Sequence, residues 1–167
     1  MTPTYRDAGP ADLPAIDRLF RASFAATFGH LYAPADLASF FARFTPETWA
    51  ERLATHRFHL ADVDGEPVGY AQLGAVTMPA EHAPGDRELR QLYLAEEAKG
   101  TGIADALIRW TIATARRQGA GTLFLSVYVD NARAIRFYAR YGFTDIGAYA
   151  FMVGDHEDED RIMRLVL

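Results

Sequence analysis

Apolar residues recur along the chain in blocks that alternate between helical and strand spacing. TYRDA, residues 4 to 8, reads as a first strand, and Pro10 with Asp12 then opens a helix whose apolar face runs through Leu13, Ile16, Leu19, Phe20 and Phe24. Gly29 and Pro34 break it. A second helical region covers Asp36 to Phe44 and then Pro46 to Thr55, where Pro46 suits a first helical turn. FHLADV and PVGYAQLGAV, joined by Asp64 and Gly65, make a β-hairpin from about 57 to 77. After a loop at 78 to 86, Glu88 to Leu94 is a strand, Gly102 to Gln118 a helix, and TLFLSVYV a strand of the buried type. The helix from Asn131 to Tyr141 starts on a capping amide and stops at Gly142. Two last strands, about 143 to 153 and 161 to 167, flank an acidic turn.

That order predicts a mixed sheet with helices on both faces. The unit from 88 to 127 is expected to be a right-handed parallel crossover, with Ile103, Leu107, Trp110 and Thr114 as the sheet-facing stripe of its helix. No repeat, linker or low-complexity stretch divides the chain, so one domain over 1–167 is expected.

Composition narrows the function classes. The 167 residues are 50% apolar and contain no cysteine, which excludes disulfides, thiol catalysis and thiolate metal sites. No apolar run approaches the roughly 20 residues that cross a bilayer, and the start MTPTYRDAGP lacks the form of a signal peptide, so a cytoplasmic protein without membrane partners is expected. A net charge of -5 argues against a nucleic-acid surface. A homodimer is left open. Five carboxylates crowd one stretch, Asp155, Glu157, Asp158, Glu159 and Asp160. His56 and His59 are badly spaced for a shared metal on a strand, and the other histidines are scattered, so no metal is expected. Ser126 lacks the GxSxG setting of a hydrolase nucleophile.

Two segments carry chemistry. KGTGIA, Lys99 to Ala104, lies between a strand and a helix, so backbone N–H groups at the helix start form an anion cradle that Gly100 and Gly102 let a ligand approach. It matches neither GxxxxGK[ST] nor GxGxxG. NARAIRFYARYGF, residues 131 to 143, sets Asn131 at a helix start and Tyr138 two turns in.

Together these segments resemble the GNAT superfamily of acetyl-CoA-dependent N-acetyltransferases. Lys99, Gly102 and Ala104 fall on its [Q/R]xxGx[G/A] pattern with Lys in place of Gln or Arg, and Asn131, Ala134, Phe137, Tyr138, Gly142 and Phe143 fall on NxxAxxFYxxxGF. ELRQLYL, 88 to 94, is similar to the family strand ELxRxYV, with Gln91 where Arg is common. The ending GAYAFMVGDHEDEDRIMRLVL and the early SFAATFGHLY resemble the PaiA-like spermidine/spermine acetyltransferases, whose pattern singles out Gly154, Asp155, Asp160, Ile162 and Met163.

The resemblance implies an α/β GNAT fold, a mixed central sheet of about six or seven strands flanked by about four helices. It implies acetyl-CoA as cosubstrate, its pyrophosphate at Lys99, Gly100, Thr101, Gly102, Ile103 and Ala104, and its pantetheine arm along the main chain of Leu92, Tyr93 and Leu94. Tyr138 is carried over as general acid and cofactor contact, and Asn131 as a cap that also meets the cofactor. Glu88 takes the amine's proton, often through water, or is only a solvated edge-strand carboxylate. Phe28, Tyr32 and Phe41 wall the acceptor site, and Ser126 lies near the strand splay. The acidic turn either gathers a polycation or is a solvated loop. The implied reaction is direct attack by a primary amine, foremost a polyamine. The alternatives are a protein N-terminus, lysine, amino acid or aminoglycoside, or a silent acyl-CoA-binding module; Tyr138 favours the enzyme.

Overall fold

The computed structural model describes residues 2–167. Its strands are β1 (Thr4–Asp7), β2 (Arg57–Val63), β3 (Glu66–Ala75), β4 (Arg87–Leu94), β5 (Thr122–Tyr128), β6 (Thr144–Val153) and β7 (His156–Val166). They form one sheet in the order β1-β2-β3-β4-β5-β7-β6. Only the β4–β5 pair is parallel, and α4 (Ile103–Arg117) connects the two, as the alternation of patterns predicts.

Between β1 and β2 lie α1 (Leu13–Phe28), α2 (Pro34–Phe41) and α3 (Pro46–Thr55). The second helical region is thus two helices. They part at Ala42 to Thr45, where Thr45 accepts the N–H of Thr48 at 3.2 Å and Pro46 opens the first turn of α3. The fifth helix, α5 (Ala132–Arg140), begins where the Asn131 side chain accepts the N–H of Ala134 at 3.2 Å. It ends at Gly142, whose φ of +94° no branched residue adopts cheaply.

Alternation along the strands sorts two cores onto opposite faces. In β3, Ala71 and Leu73 face an aliphatic core under α4, with Ile103, Leu107, Ile108 and Leu123, while Tyr70 faces an aromatic core under α1 to α3. Ile103, Leu107 and Thr114 of the expected α4 stripe are buried, whereas Trp110 is half-buried and stacks on His59 with ring centroids 4.4 Å apart.

The C-terminal hairpin corrects the expected acidic turn. The turn is Gly154 and Asp155 alone, and the acids from 157 to 160 belong to β7. Carboxylates are poor strand formers, but residues 157–159 pair with β6, the Glu159 carbonyl accepts the Val129 N–H at 3.0 Å, and from Asp160 on β7 is paired with β5 as well. The turn docks on α2: the Asp155 N–H reaches the Asp36 carboxylate at 3.0 Å, and a Cβ on Gly154 would stand 2.6 Å from the Asp36 Cα.

Candidate active site

Strand β4 sets the site's geometry. Its pairing with β5 covers only Arg87↔Leu123 and Glu88↔Phe124, after which the two strands run on without bonding each other. A bulge lies just beyond: Gln72 and Leu73 of β3 pair with Gln91 and Leu89, leaving Arg90 as the extra residue. A bulge bends its strand and strengthens the local twist, which turns β4 away from β5 and leaves the facing main-chain groups open. The side chains of Leu92 and Leu94 pack on the aliphatic core and that of Tyr93 on the aromatic one, so what these residues offer a ligand in the gap is backbone.

At the far end of the gap, Gly100 and Gly102 have φ of +77° and +88°, and a Cβ on either meets nothing within 4 Å. Their glycine requirement is therefore conformational, and the space above them is free for a ligand. No side chain caps α4, so the first N–H groups after Gly102 point out unclaimed. Ile103 is buried and supplies only its N–H; Ala104 follows it in the first turn. Lys99 pairs with Glu96 at 2.6 Å and Thr101 donates to the Ala98 carbonyl at 2.6 Å, which fixes the loop from both sides. An extended phosphorylated thioester cofactor fits this combination of anion cradle and open strand gap.

The near end opens into a cavity of about 480 Å³ that gathers most of the expected acceptor and catalytic residues: Phe28, Tyr32, Glu88, Ser126, Asn131 and Tyr138. Phe41 is not among its walls; it packs against Phe20 and under the Arg21 guanidinium. Tyr138 reaches the cavity from the second turn of α5, and burial pushes its phenol pKa up, so it stays a proton donor across the neutral range. Glu88 is 7% exposed and is no edge residue; its carboxylate accepts the N–H of Thr77 at 2.7 Å and its hydroxyl at 3.1 Å, and lies 3.5 Å from Arg90.

Two carboxylates enter from β7. The 157–160 segment alternates, with Glu157 and Glu159 outward and Asp158 and Asp160 buried against the cavity. Asp158 accepts a hydrogen bond from the Tyr32 hydroxyl and lies 3.0 Å from the His156 ring nitrogen. Asp160, 8% exposed, has no basic partner among the described residues. Burial pushes its pKa up to about 6 against a hydrogen bond with Ser126, and the Asp158 charge adds to the rise. Tyr93 lies close enough to feel both Tyr138 and Asp160, so the phenol and the carboxylate share one neighbourhood. Alternation through Glu157-Asp158-Glu159-Asp160-Arg161-Ile162 is the signal that locates this pair; the acidic run hides it when read as a turn.

Three arginines complete the walls, and sequence reasoning singled out none of them: Arg43 after α2, Arg52 on α3 and Arg90 at the bulge. Among the described residues, no group of three or more His, Cys, Asp or Glu could hold a metal ion, and no helix is long and apolar enough to cross a membrane.

Comparison with known proteins points the same way as the geometry. The model of the acetyltransferase (GNAT) family matches residues 13–143. An uncharacterized N-acetyltransferase of Mycobacterium tuberculosis is 39% identical over 134 residues, covering 78% of this chain and 82% of its own. The L-methionine sulfoximine/L-methionine sulfone acetyltransferase of Pseudomonas aeruginosa is 29% identical over 147 residues, 86% of this chain and 81% of its own. Among solved structures, the PaiA N-acetyltransferase of Thermoplasma acidophilum in complex with coenzyme A superposes with a TM-score of 0.82 at 20% identity, with both chains fully covered.

Proposed function

The chain belongs to the GNAT family of acetyltransferases, and on that premise we propose that residues 1–167 act as one domain that moves acetyl from acetyl-CoA to the primary amine of a small molecule in the cytoplasm. The observation that carries this reading is the meeting of the open β4–β5 gap with Tyr138 in one cavity.

The bound cosubstrate supplies an activated thioester. The N–H groups at the start of α4 hold its pyrophosphate, and the free edge of β4 from 92 to 94 holds its pantetheine arm and polarises the carbonyl. The amine nitrogen attacks the carbonyl carbon, and as the C–S bond breaks Tyr138 gives the leaving thiolate a proton. The amine must lose a proton in the same passage. Asp160 takes it, because it is the cavity carboxylate without a basic partner, while Glu88, held by Thr77 and Arg90, fixes the approach of the amine or its water. No residue is acylated, in keeping with a chain that has no cysteine.

Two acceptor classes have support. The β7 carboxylates suit a cationic amine such as spermidine or spermine. The P. aeruginosa relative's name points to an amino acid. The test is CoA release from acetyl-CoA against spermidine, spermine, amino acids, aminoglycosides and peptides. Tyr138→Phe is expected to lower turnover about tenfold to a thousandfold on the best amine, with acetyl-CoA affinity by calorimetry unchanged. Equal turnover in a folded Tyr138→Phe protein returns Tyr138 to a packing role.

A further inference from the structure

Acetyl transfer to a simple amine leaves Arg43 and Arg52 of the cavity unused and gives Arg90 only the holding of Glu88. Arg52 is held in place. Its guanidinium lies 4.9 Å from the centre of the Phe44 ring and 5.7 Å from that of Trp49, and its Nη1 lies 3.4 Å from the Gln72 side-chain oxygen. Gln72 is fully buried and donates its amide N–H to the His56 ring nitrogen at 2.6 Å, so that ring is an acceptor there and uncharged. Burial and the charges of Arg90 and Arg52 push His56 down to about 4, consistent with that role. The network aims Arg52 and adds no negative charge.

Burial lowers the Arg52 pKa, and the nearby charges of Arg90 and then Arg43 add to the fall. Arg90 has Glu88 at 3.5 Å; among the described residues neither Arg43 nor Arg52 has a carboxylate partner. Three guanidinium groups and three carboxylates line one cavity, but only Arg90 and Glu88 pair across the two sets. Glu88 also accepts two hydrogen bonds from Thr77, and Asp158 and Asp160 stand on β7 without an arginine partner, which leaves Arg43 and Arg52 without a counter-charge in contact. Arg90 stands two residues beyond the last β4–β5 pair, at the mouth of the gap where the amine meets the thioester.

We propose that Arg43, Arg52 and Arg90 form an anion subsite in the acceptor cavity, so that the acceptor carries a carboxylate close to its reacting amine. The proposal rests on the acetyl-transfer reading and refines its substrate class: a zwitterionic amino acid, with its carboxylate on the arginines and its amine towards Tyr138 and Asp160. Planar guanidinium groups suit a carboxylate because two N–H bonds meet its two oxygens. A polyamine has no group to place there.

The experiment pairs each of a set of L-amino acids, L-methionine sulfone among them, with its own carboxamide. The amide keeps the amine, in fact with more of it neutral, and loses the anion. At least one acid is expected to exceed its amide about tenfold or more in kcat/KM, the range of a buried charge-assisted contact. Arg43→Gln and Arg52→Gln are expected to bring that ratio towards one, mainly through KM, and Arg52→Lys to keep part of it. Arg43 is exposed, so its variant tests the charge without disturbing a core. If no acid exceeds its amide, if spermidine outruns every acid, or if the ratio survives both glutamine variants, the subsite is overturned while acetyl transfer stands. If no amine at all is acetylated, the functional reading fails, and titration with N-acetyl-L-methionine decides the subsite by itself: binding weakened by Arg43→Gln supports it, and no binding at millimolar ligand overturns it.

Discussion

The two faces of the sheet are filled by different chemistry. Beneath α4 the largest fully buried residues are Leu73, Ile103, Leu107, Ile108 and Leu123, branched chains. Beneath α1 to α3 they are Phe20, Trp49, Phe58 and Tyr70, with Phe24, Phe40 and Phe44 close behind. Rings are flat and tilt against one another, as Phe20 does against Phe44 at 4.4 Å and Tyr93 at 5.4 Å. Such packing leaves gaps between ring edges and brings polar tips inward: Trp49 donates its indole N–H to Asp17 at 2.8 Å, and Tyr32 reaches Asp158. The aliphatic face braces the sheet and holds the loop before α4 in place; the aromatic face builds a cavity. On the proposed function, the first face serves the cofactor and the second shapes the acceptor site.

The strongest way to break that division is to cut one core at a time. Phe20→Ala removes a ring with no exposure and is expected to cost about 3–5 kcal/mol; Leu107→Ala, equally buried, about 2–5 kcal/mol. Denaturant unfolding measures both. The comparison lies in the kinetics of whatever remains folded: Phe20→Leu, a milder change, is expected to raise the acceptor KM, whereas Leu107→Ala leaves it unchanged. An equal KM effect from the two faces means that the cavity does not depend on aromatic packing.

How much of this can be read from the chain differs between the faces in the same way. The Gly100 and Gly102 loop, the Asn131 cap and Tyr138 lie within short motifs whose local geometry is dictated by their own residues, and the structure puts them at the ends of one gap. Leu92 to Leu94 was legible as strand, but the bulge at Arg90 was not, since it arises from how β3 and β4 align and no local residue announces it. The acceptor side is assembled from residues far apart in sequence. Arg43, Arg52 and Arg90 come from three elements, and Asp158 reaches Tyr32 across more than 120 positions. The acidic run reads as a turn because Asp and Glu are poor strand formers, and it is pairing with β6, joined by β5 from Asp160 on, that holds it extended. The ring of Phe41 suits a wall by its type, but helix α2 turns it towards Phe20 and Arg21 instead.

A smaller effect sharpens the contrast within the cavity by separating two of its carboxylates, the unpaired Asp160 and the anchored Glu88. Asp160 has its pKa raised from an ordinary value of 3.8 to about 6, chiefly by burial, with Asp158 beside it and Ser126, Tyr128 and Tyr93 facing it. Below the lower value both folded and unfolded chains hold this proton. Between the two values only the folded chain does, so stability falls as pH rises across that window and stays lower above it. Asp160→Asn removes that loss and is expected to stabilise the protein by about 1–3 kcal/mol at pH 7, with no gain below about pH 4. In kinetics, kcat/KM rises with pH through about 6 as Asp160 ionises, and that limb disappears in Asp160→Asn, whereas Glu88→Gln lowers the rate and keeps the limb. A limb that instead vanishes with Glu88 moves the proton acceptor there.

The smallest expected effect concerns the outward half of the same strand. Glu157 and Glu159 point to solvent; Glu159 stands 3.9 Å from Arg161. Asp158 is held by Tyr32 and His156, so removing it disturbs structure and charge together. The clean test of steering is therefore the double variant Glu157→Gln and Glu159→Gln. Exposed charges at this distance act through a screened field, so the loss should be modest, about twofold in kcat/KM for a cation such as spermidine at low salt. At about 0.5 M salt, where the Debye length falls to a few ångströms, variant and parent should coincide. For a zwitterionic acceptor the attraction to its amine and the repulsion of its carboxylate nearly cancel, so the double variant should change nothing at any salt. A salt-dependent loss of the same size for both acceptors would mean that the outer acids touch the ligand directly, and the separation of an inner recognising pair from an outer solvated one would fail.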